Sequence, residues 1–151
     1  MWDEVPKFAG GPGVLVIWGN YLARRRSDTL ALDLANGHVR RLVHEDRPLP
    51  GPGSVVSGIV SPTGQTFAFG RSHGYGWDGG PAAGIWLLDL TSGDCAEVTF
   101  EPGRPDYCHQ PIAWAESDIL LFWRLATPVG SSDPQWDIYS ADIRVASPVG
   151  K

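Results

Sequence analysis

Cysteine is scarce in this sequence, with two among 151 residues, and the shortage removes whole classes of protein. Cys95 and Cys108 stand far apart with no Cys-x-x-Cys pair, so neither a structural zinc site nor a disulfide-stapled scaffold can be built from them. They read as two free thiols. Positive charge is also in the minority: 12 Lys and Arg oppose 17 Asp and Glu, for a net charge of -5 and a pI near 5.2. That balance excludes a general phosphate-binding surface, and nucleic acid is not an expected partner. Arg24, Arg25 and Arg26 form the one basic cluster, read as a solvated loop. Long apolar runs are missing too. Val14 to Trp18 is too short to cross a membrane, and the N-terminal "MWDEVPK" is acidic where a secretory signal is basic. The expectation is a cytoplasmic chain with no membrane partner.

Catalytic signatures are absent as well. There is no Gly-x-Ser-x-Gly elbow, no His-Glu-x-x-His and no phosphate-binding Gly-Lys loop. No reaction can be assigned and no cofactor is implied, so the reading leans to a module without catalysis.

What the chain does have is turn residues and apolar strands. Gly 19 and Pro 13 make up about a fifth of the sequence, a share suited to short strands joined by turns, while 42% hydrophobic residues can supply one core. Short internal echoes then organise the chain. "IVSPTGQTFAF" (59–69) lies without a gap over "IAWAESDILLF" (112–122), and Arg71 falls over Arg124. "TLALDLANGHVRRLV" (29–43) lies over "IWLLDLTSGDCAEVT" (85–99), matching Leu32 with Leu88, Asp33 with Asp89, Leu34 with Leu90 and Gly37 with Gly93. A worn third copy, "IYSADI" (138–143), keeps Asp142 in the Asp place.

Each unit reads as four strands. A short apolar piece (58–60, 111–114) precedes a tight turn and a second strand, "TFAFG" or "ILLFW". The third strand alternates at period 2, as in Trp86, Leu88 and Leu90, and a fourth returns through Asn36-Gly37 or Ser92-Gly93, read as tight hairpin turns. Ser61-Pro62-Thr63-Gly64 has Pro where a type I turn needs φ near −65° and Gly at its end. The third unit has Ala115-Glu116-Ser117-Asp118 there, so its turn must close by other means.

"SPTGQTFAFG" followed by "GIWLLDLTSGDCAEVTF" resembles the TolB-like (WD-type) propeller repeat, best over residues 59–100. In strand pattern the resemblance extends over 112–143 and, in the second hairpin only, over 8–43; Thr63 stands where that repeat usually has Asp. It implies an all-β fold of about three four-stranded antiparallel sheets, each a β-propeller blade. The single domain, 1–151, divides into approximate blades 8–46, 56–100 and 109–147. Closed propellers have about 4 to 8 blades, so three make an incomplete or open propeller. A fragment of a longer propeller, self-association of copies to complete the ring, and an open form all remain as readings. Related propellers serve as gating domains of hydrolases and as lyases, so a part of such an enzyme is the alternative function.

In up-and-down blades the connections between strands two and three emerge on the same side as the links to the next blade. That side would collect 19–28, 44–53, 70–84, 101–110 and 124–137. Long irregular loops on a rigid scaffold are where function concentrates. The candidate binding face for a protein or peptide partner is therefore His73, Tyr75, Trp77, Asp78, Tyr107, His109, Arg124 and Trp136. His44, His73, His109 and Gln110 could converge on a metal if the blades bring them to one funnel, but no tight motif joins them and no metal is assigned. Trp2, Trp18, Trp86, Trp114 and Trp123 are expected in the core between sheets.

Overall fold

Period-2 patterning does produce strands. The computed structural model describes residues 7–21, 26–42, 54–72, 85–98, 108–126, 133 and 135–144, and no helix occurs among them. The strands are β1 (Lys7–Gly11), β2 (Val14–Tyr21), β3 (Arg26–Asp33), β4 (Val39–Arg41), β5 (Ser54–Val60), β6 (Thr66–Ser72), β7 (Ile85–Asp89), β8 (Cys95–Val98), β9 (Cys108–Trp114), β10 (Ile119–Ala126) and β11 (Gln135–Asp142). They form three antiparallel meanders, β1-β2-β3-β4, β5-β6-β7-β8 and β9-β10-β11. A fourth strand of the third sheet, expected toward residue 147, would fall beyond Arg144 and outside the described residues.

The three sheets close one end with the same hydrogen bonds. After the third strand of each, the carboxylate of Asp33, Asp89 or Asp142 accepts the backbone N–H of the residue two further on, Ala35, Thr91 or Arg144, at 2.8, 2.7 and 3.0 Å. The residue directly after that Asp donates its N–H to the preceding hairpin: Leu34 to the carbonyl of Gly13, Leu90 to Gln65 and Ile143 to Asp118, at 3.0, 2.8 and 2.9 Å. In the first two sheets this stitches two hairpins together, and in the third it ties the end of β11 back to the β9–β10 turn. The Asn36-Gly37 turn is longer than a two-residue hairpin: Gly37 N–H donates to the Asp33 carbonyl at 2.8 Å, and Gly93 does the same to Asp89 at 2.9 Å. Only the glycine needs the left-handed region, at φ 72° and 78°. The third sheet, which has no Pro-x-Gly, closes its first turn through Ala115 N–H donating to the Ile119 carbonyl at 2.9 Å.

Strand alternation then assigns each face of the middle sheet to a different neighbour. Phe67, Phe69, Trp86 and Leu88 face the first sheet, where they bury Val14, Val16, Trp18 and Ala31. Ala68 and Ile85, one residue out of phase, face Leu120 and Phe122 of the third. Phe67 lies 5.3 Å from the Trp18 ring and 5.4 Å from Phe69. Two glycines make this closeness feasible. A Cβ on Gly11 would lie 2.3 Å from Val60, and one on Gly58 would lie 2.2 Å from the Phe67 ring. On the outer strands, Arg40 reaches across and donates to the carbonyls of Leu90 at 2.5 Å and Thr91 at 3.3 Å, tying β4 to the second sheet.

One expected core residue is misplaced by the sequence reading. Trp18 and Trp86 are buried and Trp114 is half-buried against the second core, while Trp2 lies outside the described residues; Trp123, however, is 39% exposed. Its register partner is Ile138, and both belong to the outward face of the third sheet, which no described sheet covers.

Candidate functional site

The two ends of the stacked sheets differ in kind. At one end every connection between described strands is a short turn, and those after β3, β5, β7 and β9 are closed by backbone hydrogen bonds. At the other end lie the strand termini Tyr21 and Arg26, Ser72 and Ile85, and Ala126 and Gln135, together with the sheet-to-sheet links from β4 to β5 and from β8 to β9. The expected grouping of connections on one side follows from these strand directions. His73, Tyr75, Trp77, Asp78 and Tyr107 belong to those connections and lie outside the described residues, as does His44.

The strands reach further toward this end than their sequence suggests. Arg124 and Trp136, read as loop residues, are in β10 and β11, and His109 is in β9. Register aligns His109, Arg124 and Asp137 in one row across the third sheet. Arg124 is buried, with its guanidinium carbon 5.0 Å from the Tyr139 ring centroid, and that ring stacks on Phe122 at 5.9 Å. The cation lies over the aromatic ring within the range where the ring face attracts it. Trp136 is in a different place. It pairs with Leu125, one position away from the Arg124 row, and packs edge-on to Trp123 at 6.4 Å and 84°. Arg124 and Trp136 therefore belong to opposite faces of one sheet.

Of the metal donors considered, His109 and Gln110 are successive positions in β9, which in a pleated strand belong to opposite faces. Among the described residues no group of three His, Cys, Asp or Glu side chains is placed to hold a metal ion. Among the described residues Cys95 forms no disulfide, and it is half-buried beside the first core.

A groove of about 580 Å³ runs along the first strands of the three sheets, lined by Gly10, Gly11, Gly58, Ile59, Val60 and Trp114 among others. Pro12, Ser61 and Pro62, from the tight turns, also line it. Sequence reasoning passed over it, although glycines inside strands are a signal of close backbone approach.

No protein-family model matches the chain, and no curated protein matches it. Solved structures do. TolB from Acinetobacter baumannii superposes with a TM-score of 0.57 at 15% identity, over 97% of this chain and 31% of that one. An acylaminoacyl peptidase from Pyrococcus horikoshii gives 0.59 at 13%, over 99% and 26%. An oligogalacturonate lyase in complex with manganese gives 0.55 at 15%, over 91% and 36%. The fold is that of a β-propeller. The chain spans about a third or less of the first two structures and little more of the third, so the likeness concerns the propeller architecture alone. In propeller terms β1, β5 and β9, which pack against one another, correspond to the first strands of consecutive blades, and the groove lies along them. The ring is not closed by the described residues, since the outer faces of the first and third blades meet no further sheet.

Among the described residues no helix is long and apolar enough to cross a membrane.

Proposed function

We propose that the chain is a propeller module that binds a protein or peptide through the end carrying its longer connections. The observation that supports this reading is the asymmetry between the two ends. At the tight-turn end the same pair of hydrogen bonds, to the Asp carboxylate and from the residue after it, recurs in all three sheets. The opposite end gathers five connections whose sequences contain His73, Tyr75, Trp77, Asp78 and Tyr107. Rings with polar tips on a rigid base give contact area at low entropic cost.

Peptides selected from a displayed library against the full chain test the reading. The expected outcome is that they lose at least about tenfold in affinity when Tyr75 and Trp77 are both changed to Ala, a loss of about 1.4 kcal/mol. They should bind Thr91→Ala, altered at the tight-turn end, undiminished. Undiminished binding to the Tyr75/Trp77 double variant, with loss in Thr91→Ala, would place recognition at the wrong end.

A second reading, part of a propeller-containing hydrolase or lyase, draws on the likeness to the peptidase and the lyase. Its test is turnover of an acylated peptide or an oligogalacturonate by the chain, lost in Arg124→Ala. No turnover above buffer would remove it for this chain.

A further inference from the structure

The first and last blades each present one face that no described sheet covers, and the two faces are unlike. On the first blade it carries Leu15, Ile17, Leu30 and Leu32, all half-buried, with Phe8 and Val39 exposed beside them. On the third blade it carries Leu121, Trp123, Trp136 and Ile138, the last 60% exposed.

The repeat shows what such faces are for. Leu15, Ile17 and Leu32 occupy the positions that Phe67, Phe69 and Leu88 hold in the second blade, where those side chains are buried against the blade before. Leu121 of the third blade corresponds to Ala68 of the second, which is buried against the blade after. One open face is therefore the receiving half of a blade-to-blade contact and the other is the donating half. Both halves are seen joined twice inside the chain. Neither face matches itself, so pairing like with like would set two receiving halves together.

We propose that the occupant of each open face is a second copy of this chain, packed head to tail, so that two copies close a single ring of six blades. Two copies suffice because closed propellers have about 4 to 8 blades, and a third copy would exceed that range. The superposition on propeller structures over 91% or more of the chain supports a blade-to-blade rotation of the closing kind. A head-to-tail contact that closes after two steps has no free end, which prevents open-ended polymer growth. The contact uses the blade flanks and is independent of the loop-bearing end proposed for partner binding.

Light scattering on the full chain should give twice 16.3 kDa. A mass of 16.3 kDa across micromolar concentrations, or one that climbs without limit, would overturn the proposal. Ile17→Glu and Ile138→Glu, on the two flanks, each place a charge in both contacts of the ring and should each be monomeric, with an unchanged strand spectrum by circular dichroism. Mixed in equal amounts, they regain one unmodified contact and should form a heterodimer. Like-with-like pairing would instead leave one of the two variants dimeric by itself, and that result would also overturn the head-to-tail geometry.

Discussion

Asp33, Asp89 and Asp142 are the most regular feature of the repeat, and their geometry explains the recurrence without chemistry. Each carboxylate receives the N–H of the residue two positions on, as the chain leaves its third strand. Changing Asp89 to Ala leaves the N–H groups of Thr91 and Ser92 without that acceptor, at a cost of about 1 kcal/mol, read as a lower urea midpoint. Asp142 also receives the side chain of Arg144, from Nε at 2.9 Å, and this hydrogen bond holds its pKa down at about 2 against an ordinary 3.8. Because the folded value is the lower one, the pair stabilises fully above the ordinary carboxylate range, and its contribution fades as the pH falls from near 4 through 2. Arg144→Gln should move the Asp142 titration up toward 3.8 by NMR; an unmoved value would refute the assigned cause. At Gly58 the limit is space. Gly58→Ala puts a methyl 2.2 Å from the Phe67 ring and should cost about 1 to 3 kcal/mol, measured by denaturant unfolding.

At the scale of strands, the period-2 runs were legible and their ends were not. "TFAFG" and "IWLLD" announce β6 and β7 because both faces of that blade are buried, one against Val16 and Trp18 and the other against Leu120 and Phe122. Arg124 and Trp136 looked like loop residues because polar and turn-forming neighbours, "TPVGSSDPQ", separate them, yet ladder pairing carries β10 to Ala126 and starts β11 at Gln135. The position of Trp123 was illegible for another reason. Alternation shows which residues share a face, but only the neighbouring sheet decides whether that face is buried. For the candidate site, the sequence supplied the side on which connections gather, while the clamp of Arg124 on Tyr139 depends on register between β10 and β11. The middle blade bears the largest packing load. Phe67→Ala removes a fully buried ring between Trp18 and Phe69 and should cost about 3 to 5 kcal/mol, enough to lower the thermal midpoint sharply. Arg40→Ala, by contrast, loses an exposed bond to the Thr91 carbonyl and a part-buried one to the Leu90 carbonyl and should cost about 1 to 2 kcal/mol, less than Phe67→Ala.

For the whole molecule, everything rests on three sheets stacked face to face as consecutive blades, with the middle one shared. Connections gather at one end and open flanks arise at both sides only if that stacking holds. Nuclear Overhauser contacts across β6 test it directly, because neighbouring residues there must see different blades. The Phe67 ring should show contacts to Trp18 of the first blade, and the Ala68 methyl should show contacts to Leu120 or Phe122 of the third. Contacts from Phe67 and Ala68 to the same sheet, or from neither to any other, would contradict the propeller arrangement.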